Sequence, residues 1–189
     1  RTPPKTLKLR KNILIRLCTI EFDFSLPVDR STKPSNKRFI EEIRGWQALT
    51  DNLYIWDYVT NFGSYVGPYP NFNALQGNLR FYRDHGAVAV KQQGARPGKH
   101  ADFAELKAWV IAKLLWNPDQ PIGPLVTDFL EGYYGAAAPH VRAYLDATTR
   151  LVADPDVHIA CFNRPEAYPW LTDDLLAGFA DTFRQAERA

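Results

Sequence analysis

The stretch from Leu53 to Phe62, Leu-Tyr-Ile-Trp-Asp-Tyr-Val-Thr-Asn-Phe, holds the densest set of chemically capable side chains in the sequence. Its β-branched and aromatic residues are those of a buried strand, yet it carries a carboxylate (Asp57), two tyrosine hydroxyls (Tyr54, Tyr58), an indole N–H (Trp56) and an amide (Asn61). None of these can sit unpaired in a core. Glu21 and Asp23 lie at the end of an earlier apolar run and, with Asp57, are the carboxylates expected at strand ends. Groups of this kind can move protons or hold ligand hydroxyls. Alternation along a strand puts Trp56 and Tyr58 on one face and Asp57 on the other. Each has a plain competitor: Asp57 can bond loop N–H groups, Glu21 can pair with Arg16, Asn61 can cap a turn, and Trp56 and Tyr58 can be core.

Positioning these groups requires the elements around them. Asn12 to Phe22 is continuously apolar apart from Arg16 and Glu21, as in a parallel strand covered on both faces. Asp23 to Lys37, with two prolines and mixed charges, is either a functional loop or a solvated connection. Asn36 is placed to cap a helix over 37–49, with Phe39, Ile40, Ile43 and Trp46 on one face. The strand at 53–60 follows, then a proline loop, a helix over 73–84 ended by Gly86, and a strand over 87–90. Beyond Ala101 the pattern is helical: one helix capped by Asp102 and stopped at Asn117-Pro118, then helices over 122–134, 139–152 and 172–187. Trp109, Trp116, Tyr133 and Tyr134 fall at core spacing in these helices.

Alternating strands and helices predict an α/β fold of right-handed parallel units. Three units cannot close a barrel. A chain that starts Arg1-Thr2-Pro3-Pro4 and has no methionine suits a piece of a larger protein. The expectation is therefore the carboxyl-terminal portion of a (β/α)8 TIM barrel over 1–100, followed by a helical extension over 101–189. A smaller open sheet capped by helices is the structural alternative.

The 189 residues are 46% hydrophobic and 23% charged, with a formal net charge of +2, which describes a globular protein and argues against a nucleic-acid partner. No apolar run approaches the roughly 20 residues of a membrane span, and no signal peptide pattern is present. Cys18 and Cys161 lack metal-ligand spacing, and a buried free thiol is preferred over a disulfide for Cys18. His85, His100, His140 and His158 form no metal pair, so neither a metal nor a cofactor is expected.

Several segments, Ile15 to Glu21, Leu53 to Phe62, Pro68 to Phe72, Leu106 to Pro118 and Asp128 to Gly135, together resemble a bacterial family long labelled a domain of unknown function. That family is similar to α-glucuronidases and hexosaminidases and contains endo-β-N-acetylglucosaminidases of glycoside hydrolase family 163. The resemblance implies an exported glycoside hydrolase acting on N-acetylhexosamine-containing glycans such as complex N-glycans, with its catalytic acidic pair before Arg1. It implies that this segment shapes the sugar pocket through Trp56, Asp57, Tyr58, Asn61, Glu21 and Gln92, without metal or cofactor. An indole offers a flat platform to a pyranose, and a tyrosine hydroxyl can hold an acetamido oxygen.

The sequence departs from the family at one place. Where the family reads Gly-Val-Phe-Glu-Gln-Gly, this chain reads Ala89-Val90-Lys91-Gln92-Gln93-Gly94, and Gln92 cannot exchange a proton as glutamate does. That exchange suits one alternative, a carbohydrate-binding barrel that does not cleave. A glucuronidase-like exo-glycosidase is another, and a phosphate-binding barrel enzyme using Gly94 and Gly98 in their basic loop is a third.

Overall fold

A computed structural model describes residues 2–95, 100–164, 166 and 168–189; Gly98 of the basic loop lies outside them. The order is β1 (Ile15–Cys18), α1 (Pro34–Gln47), β2 (Leu53–Tyr58), α2 (Phe72–Asp84), β3 (Ala87–Gln93), α3 (Ala104–Trp116), α4 (Ile122–Tyr134), α5 (Ala138–Leu151) and α6 (Asp173–Ala186). β1 and β3 both pair with β2 in parallel, in the order β1-β2-β3, with Leu17 opposite Ile55 and Ile55 opposite Val90.

This sheet corrects the expected partial (β/α)8 barrel. Among the described residues it has three strands, and neither β1 nor β3 carries a further partner on its outer edge. The chain is an α/β fold built on a small open sheet. Alternation of strands and helices is common to open sheets and barrels, so it reports the parallel units and not their closure.

One face of the sheet makes the core. Leu17, Leu53 and Ile55 point to it and are buried, joined by Phe39 and Ile43 of α1, by Leu75, Leu79 and Tyr82 of α2, and by Leu106, Val110 and Leu114 of α3. Burying each large apolar side chain contributes about 1.5–3 kcal/mol. The opposite face holds Arg16, Cys18, Tyr54, Trp56, Lys91 and Gln93, and Arg16 and Lys91 are exposed. The expectation that β1 is covered on both faces is thereby corrected: Ile13 and Leu14 precede the strand and are exposed, so its apolar run is longer than its buried part.

The helix ends follow local chemistry only in places. Pro34 occupies the first turn of α1, where a missing N–H costs nothing. Gly86 stops α2 with a φ of 77°, a conformation that favours glycine. Thr172 caps α6 by accepting a hydrogen bond from the Leu175 N–H. Asn36 does not cap. It lies in the first turn of α1, fully buried, where its amide donates to the Asp23 carbonyl at 3.0 Å and accepts from the Asp23 N–H at 2.9 Å.

The segment after β1 is neither solvated nor open, since Phe22, Phe24 and Val28 are core residues. Asp23, also buried, accepts from the Ser25 hydroxyl at 2.7 Å and from the Ile159 N–H at 3.0 Å. The Ile159 contact belongs to a strap, residues 157–163, which crosses the carboxyl ends of β1 and β2. Phe24 N–H donates to the Ile159 carbonyl at 2.8 Å, and Phe62 N–H to the Cys161 carbonyl at 2.7 Å. Cys161 is buried there as a free thiol that donates to the Ile20 carbonyl, and Cys18, likewise outside any disulfide, is half-buried.

The strap sits so close to the loop after β2 that a Cβ on Gly63 would come within 2.6 Å of the Asn163 carbonyl oxygen and 2.9 Å of that of Phe162. Backbone on both sides leaves little room to yield. Gly63→Ala is expected to destabilise the fold by about 1–3 kcal/mol, read as a lower urea midpoint, with proteolysis starting in residues 157–163.

Candidate functional site

The sheet separates the sequence-derived site residues into two groups. Asp57 and Gln92 lie on the core face, Trp56 and Tyr58 on the other, because neighbours along a strand alternate. Asp57 is 2% exposed and ties the three strands together. Its carboxylate accepts from the Thr19 hydroxyl just beyond β1 at 2.6 Å, from the Tyr58 N–H of β2 at 3.0 Å and from the Gln92 amide of β3 at 3.1 Å. Burial raises its pKa, while these hydrogen bonds pull it back. The buried Tyr82 hydroxyl is close enough to feel this charge, which together with desolvation pushes its own pKa up, but it lies outside good hydrogen-bond geometry.

On the opposite face the aromatic side chains run in series, from half-buried Trp56 to Tyr58, which is 8% exposed and part of the core. Trp56 stacks on Tyr58 with centroids 6.4 Å apart, Tyr58 meets Phe62 edge-on at 5.9 Å, and Phe62 contacts Tyr65 at 6.0 Å and Phe162 of the strap at 5.4 Å. The Trp56 indole N–H donates to the Gln93 amide oxygen at 2.5 Å. Arg16 and Lys91, from the strands on either side, lie over the indole at 4.7 Å and 4.1 Å from its centroid. Such cation–π contacts at exposed sites are worth about 0.5–1 kcal/mol each. They hold two flexible cations beside the aromatic strip without fixing them.

Asn61 and Glu21 are placed elsewhere. Asn61 is buried, donating to the Asn163 carbonyl at 2.7 Å and to the Tyr168 hydroxyl while accepting from the Gly63 N–H at 2.9 Å, so it fastens the strap. Glu21 is exposed and paired with Arg38 at 2.5 Å, whereas Arg16, its expected partner, rests on Trp56. Asp57 and Asp23 are buried and Glu21 is exposed, and these are the carboxylates that follow β1 or end β2. They do not flank one open space.

A second polar site went unread in the sequence. Lys107 on α3 is 3% exposed, and its ammonium donates to the Tyr69 carbonyl at 2.9 Å and to Asp102 at 3.1 Å. Burial lowers its pKa, and the Asp102 charge opposes that shift. The pair lines a cleft of about 280 Å³ at the carboxyl ends of β2 and β3, together with Thr60 and Gln92, whose amide oxygen is buried without a protein partner. Asp102 thus serves Lys107 and the Tyr69 N–H and does not cap α3; the position before that helix is Phe103, with a φ of 48°. The only sequence signal was a lysine next to Leu106 on an otherwise apolar face. Two of the aromatic residues read as helical core are instead exposed: Trp116 at 92% and Tyr133 at 59%.

Among the described residues no cluster of three or more His, Cys, Asp or Glu side chains could hold a metal ion, and no helix is long and apolar enough to cross a membrane. Residues 1–146 match the family described as a domain of unknown function (DUF4838). No curated protein and no solved structure matches the chain.

Gln92 is the position at which the geometry makes a sharp statement. Its amide nitrogen is the neutral donor beside a buried carboxylate; a glutamate there would set two acids at hydrogen-bonding distance, which cannot both ionise readily. In Gln92→Glu one acid of the pair takes a raised folded pKa, so the fold binds a proton that the unfolded chain releases. Stability from that proton is present below the unfolded carboxyl range and is lost as pH rises through the folded value. The variant should therefore match the parent near pH 4 and fall behind by on the order of 1–3 kcal/mol at neutral pH, measured as the difference in urea midpoints across the range. A pH-independent difference would show that the amide does not act through Asp57.

Proposed function

We propose that this chain, which belongs to the DUF4838 family of domains of unknown function, is the glycan-recognising part of a glycoside hydrolase acting on N-acetylhexosamine-containing glycans such as complex N-glycans. The observation that carries the reading is the aromatic series in which half-buried Trp56 and Phe62 stand on either side of buried Tyr58, continued by Tyr65 and Phe162. Sugars present apolar C–H faces ringed by hydroxyls, and aromatic rings with polar groups at their edges suit both. The polar group at the edge here is the Gln93 amide, which accepts the indole N–H.

Hydrolysis needs a proton donor at the leaving oxygen and a group that stabilises the anomeric carbon. Asp57 and Asp23 are buried and fully engaged by hydrogen bonds, and Glu21 stands apart in an ion pair, so the acid chemistry is assigned to another part of the working protein. A glycan-binding protein that does not cleave is the second reading. Gln92 favours it, because the position that holds a glutamate in the resembling family here holds an amide that bonds Asp57.

The test is binding of a complex N-glycan to this chain by isothermal titration calorimetry, with Trp56→Ala and Tyr58→Phe beside the parent. Losing one aromatic platform should weaken binding by about tenfold or more, since such a contact is worth about 0.5–1.5 kcal/mol beyond its buried area. Tyr58→Phe keeps the stacking and loses only the hydroxyl. Absence of binding by the parent, or an unchanged affinity in Trp56→Ala, would remove the reading. If the chain binds, incubation of the complete protein with the same glycan separates the two functions: release of a shortened glycan identifies the hydrolase, and an intact glycan identifies the binder.

A further inference from the structure

We infer that the open sheet face is a subsite for a carboxylate-bearing sugar, so that the glycan it prefers is the sialic-acid-capped form of a complex N-glycan. The inference rests on the proposed glycan recognition and adds the sign of the ligand's charge. Its basis is the composition of that face. The residues that β1, β2 and β3 present there are Arg16 and Cys18, Tyr54, Trp56 and Tyr58, and Ala89, Lys91 and Gln93. Two are cations and none is an acid.

Among the described residues no carboxylate neutralises either cation. Arg38, by contrast, pairs with Glu21, and Lys107 with Asp102. Both are exposed, and both rest on the same indole, one reaching it from β1 and the other from β3. A guanidinium seated on an aromatic ring keeps its in-plane N–H fork free, and that fork matches the two oxygens of a carboxylate. A lysine ammonium adds a point charge that needs no fixed geometry.

Held by weak contacts to Trp56, the two side chains can swing off the ring together. That motion frees the indole for the apolar side of a sugar and carries the positive charge to its rim. A neutral sugar would displace the cations and gain only the stacking. An acidic sugar gains the stacking and gives the displaced cations a partner, so charge complementarity selects it. The overall +2 of the chain is too small to produce this preference by itself; it is local to the face.

The experiment is calorimetric titration of this chain with a sialylated biantennary N-glycan and with the same glycan after enzymatic removal of its sialic acids, using the parent, Arg16→Gln and Lys91→Gln. The sialylated form should bind at least about tenfold more tightly to the parent, the worth of one charge-assisted hydrogen bond. Each variant should lose most of that advantage while keeping its affinity for the neutral glycan, and raising salt should reduce only the sialylated affinity. Both substitutions are at exposed positions, and circular dichroism checks that the fold is kept. Equal affinity of the parent for the two glycans overturns the inference and leaves glycan recognition standing, as does a preference unchanged in both variants. Failure of both glycans to bind overturns the glycan reading itself, and the inference with it.

Discussion

The Asp57 carboxylate is the interaction on which the small sheet depends. A three-stranded parallel sheet with two open edges has few inter-strand contacts, and parallel pairing is slightly weaker per residue than antiparallel. Asp57 adds a side-chain tie among its strands at the carboxyl end, where the backbone ladder runs out: Thr19 beyond β1, the Tyr58 N–H on β2 and Gln92 on β3 all donate to it. A buried charge is costly unless its lone pairs are filled. Here three donors fill them, and because these come from three different segments the cost is met only when the strands are in register. Register is thus specified by a polar contact as well as by Leu17, Ile55 and Val90 packing across the ladder.

The carboxyl edge is then closed by chain that is distant in sequence. Residues 157–163 lie beyond the 1–146 region that matches the family, yet they donate to Asp23, accept from Phe24 and Phe62, and receive the Asn61 amide. Ile159 and Cys161 belong to the same core cluster as Leu53 and Ile55. The edge at which α/β folds commonly bind ligands is therefore partly filled by the protein itself. What stays accessible is the open sheet face on one side and the Lys107 cleft between sheet and α3 on the other.

Much of the fold was legible because it is local. The alternation of strands and helices, the limits of α4 and the stop at Gly86 all follow from periodicity and end chemistry acting within a few residues. The number of strands that meet in a sheet is not local, and the barrel expectation failed on that point. Asn36 and Asp102 looked like caps because a cap is the nearest use for such side chains. Each instead serves a partner whose position is set only by folding, Asp23 for the one and Lys107 for the other. The candidate site divided along the same line. The opposite facing of Asp57 and Trp56 is a property of any strand, whereas the seating of Arg16 on Trp56, away from Glu21, depends on how the side chains of two strands pack.

Cys161 turns the strap into its own reporter. Burial pushes its thiol up to about 12, so almost none is thiolate at neutral pH, and its sulfur faces the Ile20 carbonyl instead of solvent. Alkylating reagents attack thiolates, so this cysteine reacts only in molecules whose strap has lifted. Its labelling rate, separated from that of half-buried Cys18, follows the population of that opened form without any new cysteine having to be introduced.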